Sequence, residues 1–342
     1  MPLVASVLAA AVTALLCPLA IRVAWATGWL DHPEARKLHT AATPLLGGVV
    51  VGLGALAGSL LLLPRVPVVG ELGRRTILVL AGALVSLVWG LWDDRRGMGV
   101  PLKLVGQLIA SWLLLAAGTV PHLGLPVWLE TVIALFGLVS LMNAINFLDN
   151  MNGMVGGIVG ATLLFHALHS LRLGNVTLAT LELALAGACA GFLPFNFPRA
   201  RIFLGDAGSL LLGYSLGAST ALVFASSPPG WGRVGPLFGL AYPAFDLIFV
   251  VANRLREGRK VSQGGKDHSN HRLARVISCP KRTVILVWCS TAVLCASGLV
   301  VQDLSRPLPT LLLSGLWILT LSWAGYRLSS VPSGAPIPAA KS

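Results

Sequence analysis

The chain has 342 residues, of which 55% are hydrophobic and only 11% are charged. Soluble domains carry about 25% charged residues, so this composition excludes a soluble globular protein and predicts one that is surrounded by lipid. The net charge of +12 sits on Lys and Arg at the ends of apolar runs rather than on one polar module, which argues against nucleic-acid binding and favours anionic headgroups as the counter-charge.

The apolar runs predict an all-α, polytopic integral membrane protein with about ten to eleven transmembrane helices. Eleven candidate spans lie at residues 3–25, 45–63, 75–92, 102–119, 126–143, 154–171, 176–195, 207–226, 235–253, 283–301 and 308–326. Together they predict one transmembrane domain, residues 1–328, with cytoplasmic loops at 26–44, 92–102, 144–153, 196–206 and 254–282. Residues 329–342, rich in Pro, Ala and Ser, are predicted to form a disordered cytoplasmic tail.

The distribution of charge predicts the orientation. With the N-terminus outside, 18 of the 25 Lys and Arg fall on the inside face and 6 on the outside. The positive-inside rule therefore favours an outside N-terminus and a cytoplasmic C-terminus. An Asp at the centre of a span costs about 2.5–3.5 kcal/mol on insertion scales. The acids at span ends, which this topology puts on the inside face, therefore predict an active site on the cytoplasmic face of the cell (inner) membrane.

The first two polar motifs each connect two successive spans. In the first, DHPEARKLHTAATPLLGG, Arg36 and Lys37 offer donors to an anion, although an ordinary positively charged loop would have the same composition. In the second, WDDRRGMGVPLK, Asp93 and Asp94 end a span. Two such carboxylates can hold a hard cation or serve as a base. Lys103, where the next span begins, can neutralise a phosphate.

The third motif, NAINFLDNMNG, has polar residues every three positions: Asn143, Asn146, Asp149 and Asn152. If this segment is helical, they form one polar stripe at the end of an apolar span. Burying four such groups is costly unless they are bonded. The stripe therefore predicts contacts with Mg²⁺ and with the edge of a nucleobase, and a structural polar seam is the alternative.

The last two motifs combine basic and acidic residues. In FNFPRARIFLGDAGS, Asp206 opens a span directly after two arginines, where free N–H groups of a helix start favour anions. A plain N-cap is the alternative role for Asp206. In GGKDHSNHRL, His268, His271 and Arg272 give the longest inside loop a phosphate-binding composition.

In this order the five motifs resemble the polyprenyl-phosphate N-acetylhexosamine-1-phosphate transferases, of the glycosyltransferase 4 type, from about Asp31 to Leu273. The resemblance implies that undecaprenyl or decaprenyl phosphate attacks the β-phosphorus of a UDP-sugar, giving a lipid diphosphosugar and UMP in a cell-envelope glycan pathway. It implies Mg²⁺, with Mn²⁺ as a substitute. UDP-GlcNAc is the preferred donor, UDP-MurNAc-pentapeptide is the alternative, and a homodimer is left open.

The resemblance also implies residue roles. The catalytic set is Asp93, Asp94, Asp149 and Asp206, with Asp93 as the base or the contact to the lipid phosphate. Asn146 and Asp206, with Asp149 near them, belong to the Mg²⁺ side. Asn152 matches a uracil contact and Lys103 a phosphate contact. The full substrate-binding set is Lys103, Asn152, Asn143, His268, His271, Arg272, Arg36 and Lys37.

Three asparagines depart from the family pattern. The usual double Asp-Gly reads DNMNG here, with Asn150 and Asn152, and the usual His-x-His-His has Asn270 in its third place. These departures concern sugar specificity more than the reaction. Two other functions are alternatives. A transporter would place its binding residues near the midplane, where Asp246 is the one feature in its favour. A non-catalytic paralogue would have lost its carboxylates.

Overall fold

The computed structural model describes residues 1–33, 41–62, 70–261 and 265–333, and this part of the chain is almost entirely helical. The helices are α1 (Pro2–Thr27), α2 (Gly47–Ser59), α3 (Glu71–Arg96), α4 (Val100–Leu114), α5 (Val127–Leu148), α6 (Met154–Arg172), α7 (Val176–Asn196), α8 (Gly205–Ser226), α9 (Ala241–Arg256), α10 (Ser269–Ile277), α11 (Pro280–Leu304) and α12 (Pro307–Ser329). Tighter or wider turns extend α2 (Leu60–Leu62) and α4 (Leu115–Thr119) and precede α9 (Trp231–Leu240). One short antiparallel ribbon pairs Leu30–Asp31 with Thr43–Pro44.

Ten helices in the described ranges are long and apolar enough to cross a membrane, which confirms the predicted all-α polytopic architecture. The second predicted span, 45–63, differs from the others. Its helix with the following turn runs from Gly47 to Leu62, and at 1.5 Å per residue it reaches about 24 Å, less than the roughly 30 Å of a bilayer core. The count of ten in the described ranges therefore leaves out this run, whose described part is shorter than a span.

Helix α8 is the most enclosed of these ten helices, and it packs against α2, α3 and α5. Glycines allow the close approach: a Cβ at Gly90 of α3 would overlap the backbone of Asp206, and one at Gly213 of α8 would overlap the backbone of Met142 on α5. Small residues at such crossings let helix backbones come together in membranes. The first turn of α8 is thereby fixed where α3 and α5 end.

A set of buried polar side chains lies between α6, α7 and α8. Glu182 accepts hydrogen bonds from the hydroxyls of Ser219, at 2.6 Å, and Ser170, at 2.7 Å. His166 continues the chain, with Nδ1 2.8 Å from the Ser219 hydroxyl and Nε2 3.0 Å from the carbonyl oxygen of Pro236. All four side chains are buried. We call this the Glu182 network; it ties four elements together with each carboxylate oxygen bonded.

Candidate active site

Helices α3, α4, α5 and α8 bring their polar ends to one place. Lys103, in the first turn of α4, puts its Nζ 2.6 Å from Oδ2 of Asp93 and 3.0 Å from Oδ2 of Asp206. The Asn146 amide, near the end of α5, donates to Oδ1 of Asp206 and, at 2.8 Å, to the Ser209 hydroxyl. Residues predicted from three separate motifs thus meet around Asp206. We call Asp93, Asp94, Asp149 and Asp206 the carboxylate cluster.

Asp93 and Asp94 are neighbours in sequence but have different contacts. Oδ1 of Asp93 accepts the backbone N–H of Met98 at 2.6 Å, which closes the turn between α3 and α4, while Oδ2 faces Lys103. Asp94 instead accepts the backbone N–H groups of Asp206, at 2.7 Å, and Ala207, at 3.0 Å. Both oxygens of Asp94 are therefore used to cap α8 from another helix, which holds Asp206 in position.

Asp149 follows the last residue of α5 and is half-buried. Its carboxylate makes no hydrogen bond within the described part of the chain. Burial, reinforced by the nearby charge of Asp206, raises the pKa of Asp149 to about 7. The cluster has Lys103 as its paired cation, so it holds more negative than positive charge. That imbalance is what a bound cation would relieve.

The other two residues of the predicted stripe, Asn143 and Asn152, form hydrogen bonds with neighbouring parts of the protein. Asn143 donates at 2.7 Å to the Gln107 amide oxygen and receives a weaker bond, at 3.3 Å, from the Gln107 nitrogen. Gln107 lies one turn after Lys103 and was not among the predicted residues. Asn152 donates at 3.2 Å to the carbonyl oxygen of Pro198. Asn143 thus supports the α4–α5 contact, whereas Asn152 stays at the edge of the site.

The histidine motif begins α10. Nδ1 of His268 lies 2.8 Å from Oδ2 of Asp246, whose Oδ1 accepts the backbone N–H and the hydroxyl of Ser269 at 2.8 and 2.6 Å. Asp246, which the sequence put inside a span, therefore orients His268. His271 is buried, and burial, together with the charge of His268, lowers its pKa to about 3. Its Nδ1 has no hydrogen-bond partner in the described structure.

Arg272 does not reach these groups. It is buried, and its Nη1 donates to the carbonyl oxygens of Ser329, at 2.8 Å, and Val331, at 3.0 Å, at the end of α12. Arg272 thus caps the C-terminal end of α12, and its predicted contact with substrate stays a prediction. Arg36 and Lys37 lie outside the described residues. These partners on α12 could not be predicted from the sequence, because they are backbone atoms more than fifty residues away.

A preformed metal cage is not found. No group of three or more His, Cys, Asp or Glu side chains that could hold an ion occurs in the ranges that the structure describes. The predicted metal-side residues do supply oxygen donors, namely the carboxylates of Asp149 and Asp206 and the amide of Asn146. The two hydrogen bonds of Asn146 engage its nitrogen, and its oxygen remains for another ligand.

The fold and this site define a multi-pass membrane protein with an acid-rich polar centre at one end of its helices. The family model described as glycosyl transferase family 4 matches residues 76–224, from α3 through α8. The decaprenyl-phosphate N-acetylglucosaminephosphotransferase of Mycolicibacterium smegmatis is 31% identical over 79% of this chain and 77% of that protein. The protein of the same name from Mycobacterium leprae is 33% identical over 75% and 73%.

The phospho-N-acetylmuramoyl-pentapeptide-transferase of Moorella thermoacetica is also similar, at 31% identity over 86% of this chain and 96% of that protein. The chain belongs to glycosyl transferase family 4, and the family predicted from the motifs is confirmed. The matched segment contains the whole carboxylate cluster and Lys103.

Proposed function

We propose that this chain transfers N-acetylglucosamine-1-phosphate from UDP-N-acetylglucosamine to a polyprenyl phosphate. A phosphate oxygen of the lipid attacks the β-phosphorus of the donor, the bond from that phosphorus to the bridging oxygen breaks, and UMP leaves with that oxygen. The lipid diphosphosugar remains. The relatives from M. smegmatis and M. leprae, named as decaprenyl-phosphate N-acetylglucosaminephosphotransferases, support this reaction.

One observation carries the proposal: Lys103, Asp93, Asp206 and Asn146 meet at one end of the helices although they come from four of them. Phosphoryl transfer needs positioned charge more than covalent participation. In our proposal Lys103 neutralises phosphate charge, and Asp93 aligns Lys103 and accepts a proton or orients the lipid phosphate. Asp94 acts through its cap on α8, so we assign it a positioning role.

Mg²⁺ fits the donor chemistry of this end. It prefers oxygen ligands, which the carboxylates of Asp149 and Asp206 and the amide oxygen of Asn146 supply. The raised pKa of Asp149, caused by burial and by the charge of Asp206, supports a cation between the two. When bound, Mg²⁺ or Mn²⁺ would neutralise charge on the donor diphosphate.

For the donor side we propose Asn152, His268 and His271. Asn152, at the edge of the site, presents an amide that can pair with uracil. His271 is neutral and has a free ring nitrogen, and His268 is fixed by Asp246. Asn152 lies on the α5–α6 loop and the two histidines lie at the start of α10. The Phe147 ring contacts His268 edge-on, with the ring centroids 6.3 Å apart.

A second donor, UDP-MurNAc-pentapeptide, is favoured by one specific observation, the similarity to the transferase of M. thermoacetica across almost its full length. A transporter is disfavoured because the polar residues gather at one helix end rather than at the midplane. We further propose that this end faces the cytoplasm, because 18 of the 25 basic residues fall on that side under an outside N-terminus.

The test is a donor competition on the purified protein in lipid nanodiscs with undecaprenyl or decaprenyl phosphate. UDP-GlcNAc, UDP-GalNAc and UDP-MurNAc-pentapeptide compete at equal concentration, with Mg²⁺, with Mn²⁺ or with a chelator. We expect lipid-linked GlcNAc-diphosphate and UMP in equal amounts, lost with the chelator. Product from UDP-MurNAc-pentapeptide alone would reassign the donor, and no lipid-linked product from any donor would refute the activity.

A further inference from the structure

A hydrogen bond between two asparagine side chains joins the loop after α5 to the start of α10. Each of these segments carries residues that we propose bind the donor. Asn150 lies in the loop after α5, between Asp149 and Asn152, and Asn270 lies in the first turn of α10, between His268 and His271. The Nδ2 of Asn270 donates to Oδ1 of Asn150 at 2.7 Å across 120 positions of sequence.

The two amides form a chain whose direction is fixed at both ends. The Nδ2 of Asn150 donates to the carbonyl oxygen of Phe147 at 2.7 Å, so its oxygen must face Asn270. The Oδ1 of Asn270 accepts the backbone N–H of His271 at 2.7 Å, so its nitrogen must face Asn150. Turning either amide over would set two donors or two acceptors against each other. Since Asn270 is fully buried, such a mismatch would be costly.

The same junction holds the histidines. The Phe147 ring contacts His268 edge-on, and Asp246 fixes His268 from α9. The loop that carries Asp149 and the helix that carries His271 are therefore held together by one amide–amide bond and one aromatic contact. Without the hydrogen bond between the two side-chain amides, the loop could shift relative to the histidines.

We propose that Asn150 and Asn270 are positioning residues, which set the spacing between the two parts of the site that grip the nucleoside diphosphate sugar donor. This inference rests on the proposed function. A polar hydrogen bond of this kind contributes about 0.5–1.5 kcal/mol net, which corresponds to about a three- to tenfold change. The lipid acceptor does not depend on this spacing.

The experiment measures KM for UDP-GlcNAc, KM for the polyprenyl phosphate and kcat for Asn150→Ala, Asn270→Ala and the double variant. We expect each single variant to raise the donor KM about three- to tenfold and to leave the acceptor KM unchanged. The double variant should resemble the single ones, because all three lose the same bond.

Two isosteric variants separate this bond from charge and from folding. Asn150→Asp keeps the oxygen that Asn270 donates to and loses only the bond to the Phe147 carbonyl beside its own loop. Asn270→Asp puts an oxygen against Asn150 and breaks the hydrogen bond between the two segments. Each adds one negative charge at the same junction. We expect the donor KM of Asn270→Asp to rise clearly more than that of Asn150→Asp. Asn175→Ala is the folding control, because Asn175 caps α7 through the Leu178 N–H far from the donor residues.

The outcomes separate the two claims. No turnover by the unmutated protein with any UDP-sugar would overturn the proposed reaction. Turnover by that protein with an unchanged donor KM in Asn270→Ala, or an equal rise in both aspartate variants, would overturn the positioning role alone. A rise in donor KM in Asn175→Ala as large as in Asn270→Ala would also overturn it, because the effect would then be general destabilisation.

Discussion

The carboxylate cluster and the Glu182 network both bury acids within a membrane protein, but they balance them differently. Asp206 and Ser219 lie on the same helix, thirteen residues and about 20 Å apart along α8. In the Glu182 network one carboxylate accepts hydrogen bonds from two hydroxyls, and His166 bonds one of these hydroxyls, that of Ser219. In the carboxylate cluster Lys103 pairs with Asp93 and Asp206, Asp94 accepts two backbone N–H groups, and Asp149 has no hydrogen bond in the described residues.

In our proposal this difference is one of role: the Glu182 network stabilises the folded protein, and the carboxylate cluster binds a ligand. A fully bonded buried network holds helices together and has no further capacity. A group of like charges that lacks enough partners costs energy in the ligand-free protein, and a bound cation would offset that cost. Burial of acids alone therefore does not identify the site; the missing partners do.

The largest effect should come from Asp206. Replacing it by Asn keeps the shape but removes the charge that Lys103 and the proposed cation share. We expect kcat to fall by about 10²–10³, the range for removing one positioned electrostatic group. Radiolabelled GlcNAc transfer measures it, with Asp303→Asn, a half-exposed acid paired with Arg172, as the control. More than a tenth of the activity remaining in Asp206→Asn would contradict the assignment.

A smaller effect is expected at Asp94. An amide at this position can accept only one of the two N–H groups of α8 that Asp94 now accepts. Losing a cap costs about 1–2 kcal/mol, or about five- to thirtyfold. We expect Asp94→Asn to lose activity by about that factor, and Asp94→Ala to lose more. If Asp94→Asn were as inactive as Asp206→Asn, with unchanged thermal stability, Asp94 would have a direct role in the reaction.

The Glu182 network should affect stability and leave the chemistry intact. Glu182→Ala removes the acceptor for two buried hydroxyls, at a cost of about 1–3 kcal/mol. We expect the midpoint of thermal inactivation in detergent to fall by several degrees, with kcat at 25 °C unchanged. Ser290→Ala, whose hydroxyl bonds its own helix, serves as the control. A large loss of kcat in a fully folded Glu182→Ala protein would contradict a purely structural role for the Glu182 network.

The smallest effect is expected at Asp267, where burial and ion pairing shift the pKa in opposite directions. Burial acts to raise the pKa of Asp267, but hydrogen bonds from Arg254 at 2.8 and 2.9 Å and the charges around them outweigh it and hold the pKa at about 2. Because this lies below the ordinary value of 3.8, the pair stabilises the 254–279 segment at neutral pH, and that stabilisation is lost as pH falls from about 4 towards 2.

Hydrogen exchange of residues 254–279 between pH 7 and pH 3 checks this, after correction for the intrinsic rates. Protection should stay constant from pH 7 to about 4 and then decline. In Asp267→Asn it should be lower throughout and lack the decline. A decline that begins near pH 7 would mean that Asp267 resembles Asp149, whose pKa burial and Asp206 raise to about 7.

Periodicity and position in the spans were enough to predict that several polar residues of the candidate site lie at helix ends. The three-residue spacing of Asn146 and Asp149 predicted that both lie at the end of one helix, and Asp206 lies in the first turn of α8 as expected. The family followed from the same motifs. Such features are local, so the sequence carries them directly.

What could not be predicted depends on tertiary contacts. Adjacent residues on a helix point about 100° apart, so Asp93 reaches Lys103 while Asp94 reaches α8, and the sequence DD does not reveal which is which. In the sequence Gln107 is a single polar residue within an apolar span. Its role depends on the hydrogen bond to Asn143, which only the structure reveals. Arg272 carries a charge typical of phosphate binding, yet its partners are carbonyl groups at the end of α12.

The cap that Asp94 places on α8 also has a consequence for biosynthesis. The two segments are 112 positions apart, and ribosomes add about 5–20 residues per second. For on the order of ten seconds the newly inserted α3 therefore holds two carboxylates at the membrane surface before their partner helix exists. Under the proposed function, chains interrupted before α8 would be inactive, because they lack Asp206 and the helix end that Asp94 caps.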